Sequence, residues 1–179
     1  ETMQVNSVGT WKLCEAAIKM NARFLFASTS EVYGDPLEHP QKEEYRGNVS
    51  TTGPRAVYDE SKRFGETVTS AFVRSKGLDG RIVRIFNTYG PHMNPDDGRV
   101  IINFLVQLKK KKPLTVHGDG SQSRSFCYVD DLIDAIFRYG QKTDLTQPIN
   151  IGNDREFTIL ELAKIVQKMS PFAPEIQFQ

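Results

Sequence analysis

With 179 residues and 39% hydrophobic content, the chain can bury one respectable core, and by length it is one domain or part of one. Its 23 basic and 22 acidic residues leave a formal net charge of +1, which gives no general reason to expect nucleic acid or an anionic membrane as a partner. Cys14 and Cys127, with three scattered histidines, are too few for a disulfide framework or a four-ligand zinc site, so no metal is expected and a reducing, cytoplasmic setting fits best. No apolar run approaches the roughly 20 residues that span a bilayer, and the chain does not open on a charged region followed by an apolar signal core.

In chain order, Val8, Trp11, Leu13, Cys14, Ala17 and Ile18 make a helical stripe. Phe24-Leu-Phe-Ala27 then forms a short continuous apolar run suited to a buried parallel strand. Residues 34 to 56 hold Gly34, Asp35, Pro36, Pro40, Gly47, Asn48, Gly53 and Pro54, which predicts a long, functional loop. A helix follows through Lys76, with Phe64, Val68, Ala71 and Phe72 at helical spacing. Gly77 and Gly80 punctuate, and the β-branched content of Arg81-Ile-Val-Arg-Ile-Phe86 predicts a second strand.

Asn87 to Gly98 is again rich in turn residues and leads into an apolar helix over Val100 to Leu108, closed by Lys109 to Lys112. Four lysines could bind a polyanion, but a cationic last turn complements the helix dipole and is read here as solvated. Leu114-Thr-Val116 predicts a strand, Asp131 to Tyr139 a helix and Ile149-Asn-Ile151 a strand. Thr158-Ile-Leu-Glu161 is a capping-box pattern opening a helix through Lys168, and Glu175-Ile-Gln-Phe178 predicts a terminal strand. No repeat interrupts this order, and the alternation argues for an α/β fold with a parallel sheet.

Three segments carry candidate chemistry. Tyr58 and Lys62 stand one helical turn apart in Val57-Tyr-Asp-Glu-Ser-Lys62, which places phenol and ammonium on one face. A phenol with a reference pKa of about 10 is a poor base at neutral pH unless a fixed cation stabilises the phenolate, and Lys62 could be that cation. Such a pair also arises by chance on amphipathic helices. Ser28-Thr-Ser-Glu-Val-Tyr-Gly34 follows the first strand, where open α/β sheets place their ligands; alternatively, its hydroxyls cap a turn and Glu31 is solvated. Arg84-Ile-Phe-Asn-Thr-Tyr-Gly-Pro91 follows the second strand.

In order and spacing these segments resemble the extended short-chain dehydrogenase/reductase family, and within it most closely the UDP-glucuronate decarboxylases. Gly53-Pro-Arg-Ala-Val-Tyr-Asp-Glu-Ser-Lys62, Asp97-Gly-Arg-Val-Ile101 and Gly118-Asp-Gly-Ser-Gln-Ser-Arg-Ser-Phe126 support the narrower match, and the resemblance runs across nearly the whole chain. It implies a Rossmann-like doubly wound parallel sheet, present in part. Residues 1–90 would be the C-terminal part of the NAD-binding domain with the catalytic motif, and 91–179 mainly a smaller nucleotide-sugar binding region interleaved with the sheet.

The resemblance also implies roles. Tyr58 would take the C4 hydroxyl proton of the sugar as hydride passes to NAD, with Lys62 binding the nicotinamide ribose and Thr29 bonding the reacting hydroxyl. The resulting β-keto acid would lose carbon dioxide, and hydride return would give UDP-xylose with NAD regenerated. Related 4,6-dehydratases carry aspartate where this chain has Ser30, which can bond a substrate carboxylate without repelling it. Glu31 would be a general acid/base or an orienting group. Arg55 would approach the sugar carboxylate, Asn87 and Arg124 the diphosphate, and Thr115 to Gln122, including His117, the nucleotide. Ala27, Thr88 and Arg99 would lie near the cofactor, with a structural role equally open for Arg99. His92 and His117 lack any acid or hydroxyl companion at telling spacing and read as loop or pocket-wall residues.

The glycine-rich pyrophosphate loop of the family does not occur, since the nearest pattern, Gly118-x-Gly120, has Ser123 in place of a third glycine, and the family's acidic ribose-binding residue is likewise missing. The family also continues past Gln179 with a further substrate-facing arginine. The expectation is therefore the middle and C-terminal part of a longer enzyme. Taken alone it would be a non-catalytic nucleotide-sugar binding fragment, poorly stable unless its sheet edges are covered. Family members commonly pair through the Tyr-Lys helix, so a homodimer is expected, with Phe64, Val68 and Phe72 serving an interface or a core.

Overall fold

Apolar runs that alternate with amphipathic stripes must bury strands under helices, and the computed structural model, which describes residues 1–142 and 144–179, has that arrangement. The chain opens with α1 (Thr2–Gln4) and a π-helical turn, Val5–Gly9, leading into α2 (Thr10–Lys19). There follow β1 (Phe24–Thr29), a 3-10 turn over Ser30–Tyr33, α3 (Ala56–Lys76), β2 (Gly80–Ile85) and β3 (Thr88–Tyr89). Then come α4 (Val100–Lys109), β4 (Leu114–Val116), β5 (Ser123–Ser125), β6 (Cys127–Tyr128) and α5 (Val129–Gln141). The series closes with β7 (Ile149–Ile151), β8 (Glu156–Thr158), α6 (Ile159–Met169) and β9 (Ile176–Phe178). Lys109 alone of the four lysines is helical; Lys110 caps the end and Lys111 turns to φ 53°.

Two compact units emerge, residues 1–86 with 133–151 and residues 87–132 with 152–179. The boundary expected near residue 90 is contiguous in sequence, whereas these units are not. In the first unit β1, β2 and β7 form a parallel sheet in which Phe24 to Thr29 run level with Gly80 to Ile85, and Val83 to Ile85 with Ile149 to Ile151. The β1–α3–β2 crossover follows from parallel pairing, which needs a long connection. Cys14 and Ala17 of α2, Val68 and Phe72 of α3 and Leu78 make one core cluster. Val68 and Phe72 are therefore core residues, whereas Phe64 is 48% exposed.

Gly65 sets how closely α3 approaches the sheet. A Cβ there would stand 2.3 Å from Cζ of Phe26 on β1, a distance no side chain tolerates, so only glycine permits this contact. The helix ends at Gly77, which takes the left-handed conformation at φ 67°.

In the second unit β4 pairs with β9 and β3 with β6, both parallel, while β5 and β8 are antiparallel. Phe104, Leu114, Val116, Ile159, Ala163 and Val166 form its core. The capping box is present: Thr158 accepts from the Glu161 amide at 3.0 Å, and the Glu161 carboxylate accepts from the Thr158 amide at 2.8 Å. The Thr158 amide, and then its hydroxyl, donate to the Glu161 carboxylate and hold it below its ordinary range.

Candidate functional site

In the first unit, β1 ends in a turn that gathers several candidates. Thr29 caps that turn, its hydroxyl oxygen accepting from the Glu31 amide at 3.3 Å. The capping alternative therefore describes Thr29 correctly, yet a hydroxyl that accepts still has a proton to donate. Ser30 is half-buried beside it. The Glu31 carboxylate meets the Arg55 guanidinium at 2.6 Å, with side chains 34% and 64% exposed. Arg55 stands at the start of α3, where its carbonyl accepts from the amides of Tyr58 and Asp59.

One turn further, Tyr58 is 38% exposed and Lys62 places Nζ 5.9 Å from the centre of its ring. Nζ also donates to the Ala27 carbonyl at 2.9 Å and lies 5.3 Å from the Phe26 ring. Burial pushes the Lys62 ammonium down from its ordinary value, because desolvation disfavours the charged form. The first unit thus brings together Glu31 with Arg55, and Ala27 with Tyr58 and Lys62.

Behind this surface lies a buried network that the sequence reading did not single out. Glu66 on α3 accepts from Arg84 of β2 through both carboxylate oxygens, at 2.9 and 2.8 Å, with side chains only 11% and 12% exposed. The Ser28 hydroxyl donates to the same carboxylate at 2.5 Å. Arg84 also donates to the Tyr33 hydroxyl and the Glu43 carbonyl, each at 2.8 Å, and Tyr33 donates to Asn150 at 2.7 Å. Burial alone would push Arg84 down, but the bonds and charge of Glu66, with Tyr33, push it up instead. Asn150 in turn donates to the Gln41 carbonyl and the Glu43 carboxylate, so the long loop is tied to the sheet through polar groups. The readable signal was charge inside a strand apolar enough to be buried: β2 carries Arg81 and Arg84, and each must find a partner.

The second unit contains a cavity of about 310 Å³, in the range of small-molecule sites. Asn87, Thr88, Arg99, Thr115, His117, Gln122 and Arg124 all line it, which covers every site candidate that falls in this unit. Their side chains are differently engaged. Thr115 accepts from Gln107 at 2.6 Å, Gln122 donates to the His117 carbonyl at 3.1 Å, and Asn87 donates to the Ser125 carbonyl at 3.4 Å. Arg124 is exposed and donates to the Ser123 carbonyl at 2.7 Å, which leaves most of its fork for a ligand. Arg99 pairs with Asp97 and donates to the Thr88 carbonyl, and its hydrogen bonds hold the Asp97 carboxyl below the usual range. Phe126, Val100 and Ile159 supply apolar wall that the sequence reading did not assign to a site. Among the described residues no group of His, Cys, Asp and Glu could hold a metal ion, and no helix is long and apolar enough to cross a membrane.

Comparison with known proteins places these features in a family. The chain is 50% identical over 179 residues to UDP-glucuronic acid decarboxylase 1 of Arabidopsis thaliana, covering all of this chain and 41% of that protein. It therefore spans less than half the length of that relative. Among solved structures, the UDP-glucose 4-epimerase of Thermotoga maritima with UDP-glucose superposes with a TM-score of 0.88 at 26% identity, covering 99% of this chain and 57% of that one. The UDP-glucuronic acid 4-epimerase of Bacillus cereus, in complex with UDP-glucuronic acid and NAD, gives 0.77 at 30% identity over 97% and 54% of the two chains. Residues 1–152 match the family described as NAD dependent epimerase/dehydratase, and the chain belongs to that family.

Proposed function

We propose that the protein containing this chain decarboxylates UDP-glucuronate to UDP-xylose with NAD as a retained cofactor. The observation that carries this reading is the turn Thr29-Ser30-Glu31 with the Arg55 guanidinium upon it, in a chain half identical to UDP-glucuronic acid decarboxylases. A dehydratase needs an acid to expel a hydroxyl. Ser30 is no such acid, but a serine and an arginine suit a carboxylate.

Ala27, Tyr58 and Lys62 fit the nicotinamide-ribose end of NAD: a half-buried ammonium, already bonded to a backbone carbonyl, lies beside an exposed phenol. NAD, when bound, supplies a hydride acceptor that is regenerated. Tyr58 removes the C4 hydroxyl proton, Lys62 favours the phenolate by its charge, and Thr29 donates to the reacting oxygen. Oxidation at C4 makes the sugar a β-keto acid. The bond from C5 to the carboxylate breaks, its electrons delocalise onto the C4 oxygen, and C5 then takes a proton. Glu31 is the acid/base or orienting group near C5. Ser30 and Arg55 hold the carboxylate, while Asn87 and Arg124 contact the diphosphate and Thr115, His117 and Gln122 the nucleotide. Thr88 and Arg99 are assigned near the cofactor. The two contiguous regions, 1–90 and 91–179, serve mainly cofactor with catalysis and nucleotide sugar respectively.

We assign the protein further to the cytoplasm, in keeping with its two unpaired buried cysteines, and to a homodimer formed through α3, where Val57 and Phe64 are exposed.

Mass spectrometry of the full-length protein incubated with UDP-glucuronate should find UDP-xylose and carbon dioxide, and Tyr58→Phe should abolish both while UDP still binds. A 4-keto-6-deoxy sugar from a nucleotide hexose, with no carbon dioxide from the glucuronate, would overturn the assignment.

A further inference from the structure

We propose that Glu31 is an internal competitor for the carboxylate of the substrate, because both require the fork of Arg55. The inference rests on the decarboxylase reading above and adds to it a switch in ion pairing. Each partner is fixed by its backbone. Glu31 is held in the 3-10 turn, its amide on Thr29 and its carbonyl accepting from Gly34 at 3.0 Å. Arg55 is held by the first turn of α3. The charges themselves meet through long side chains at 2.6 Å, with the Arg55 side chain 64% exposed and making no side-chain cap to its own helix.

An ion pair of this exposure is weak and readily exchanged. A guanidinium offers two carboxylate oxygens a matched fork, so a sugar acid presented to Arg55 competes with Glu31 for the same donors. When the sugar acid takes them, Glu31 loses its cation on the turn that also carries Thr29 and Ser30. A neutral sugar has no claim on Arg55 and leaves the pair intact. Glu31 therefore lowers affinity for the acidic substrate only, and couples its own release to the arrival of the group that is to be removed.

The test is a double-mutant cycle in the full-length protein, with Tyr58→Phe in every variant so that ligand is not consumed. Dissociation constants for UDP-glucuronate and UDP-glucose are measured by calorimetry. Glu31→Gln, which keeps shape and removes charge, should tighten UDP-glucuronate about three- to fivefold, the scale of an exposed ion pair, and leave UDP-glucose unchanged. Arg55→Met should weaken UDP-glucuronate selectively, and Glu31→Gln should add nothing in that background. An equal effect of Glu31→Gln on both ligands, or a gain that persists without Arg55, overturns the exchange even if the Tyr58 protein turns over UDP-glucuronate. Failure of UDP-glucuronate to bind at all overturns the substrate reading, and the exchange falls with it.

Discussion

Two arginine–glutamate pairs of the first unit join residues far apart in the chain, and they do so at two depths. Arg84 and Glu66 are almost buried, share two hydrogen bonds, and have Ser28, Tyr33 and Glu43 around them. Arg55 and Glu31 meet at the surface through one close contact. Depth decides what each can do. A desolvated pair must stay together, since either charge alone would be stranded, so it suits a fixed support. A solvated pair separates cheaply and suits a group that changes partner. Lys62 lies between them, half-buried, with a carbonyl rather than a carboxylate on its ammonium.

The largest effect should come from Glu66→Ala, which leaves the Arg84 guanidinium buried without its counter-charge. Chemical denaturation of the full-length protein should show a loss of about 3–5 kcal/mol, much of it recovered by adding Arg84→Met. A loss below about 1 kcal/mol would remove the contrast between the two pairs.

A smaller effect, visible in its pH dependence, should come from Lys62. Its folded pKa is lowered by burial, so its contribution to stability is fully present above the unfolded value of 10.5 and is withdrawn as pH falls through the folded value. The stability of the wild type relative to Lys62→Met should therefore rise with pH between the lowered value and 10.5. A flat or falling difference, read from unfolding midpoints across that window, would show that the ammonium is not desolvated. The smallest change in stability should belong to Glu31→Gln, at most about 1 kcal/mol by the same denaturation. A cost near that of Glu66→Ala would make the outer pair a second fixed support.

Much of this arrangement was legible because local pattern and global fold agree. Ile149–Ile151 is the expected strand to the residue, and Thr158 with Glu161 begins α6 with both bonds of the box. Apolar periodicity gave α3 its span because one face is core from Val68 to Phe72. The short strands β3, β5, β6 and β8 were not expected. Each has two or three residues in polar or turn-rich sequence, and each exists through a partner distant in the chain that periodicity cannot show. The candidate residues of the second unit share one cavity, yet their motifs carried that information only through resemblance. The Arg84 network was least legible. A charged residue in a strand announces that a partner exists, but not that the partner is Glu66, with the loop residues fastened beyond it.

The division of the chain has a practical consequence for anyone who would cut or graft it. The backbone changes unit at residues 86, 132 and 151, the second time inside α5. A single cleavage site or fusion junction chosen by linear position therefore isolates neither unit, and a transplant of the cavity must carry two separate stretches of gene. Insertions belong instead at exposed turns away from those three crossings, where added sequence leaves the ledger of internal bonds undisturbed.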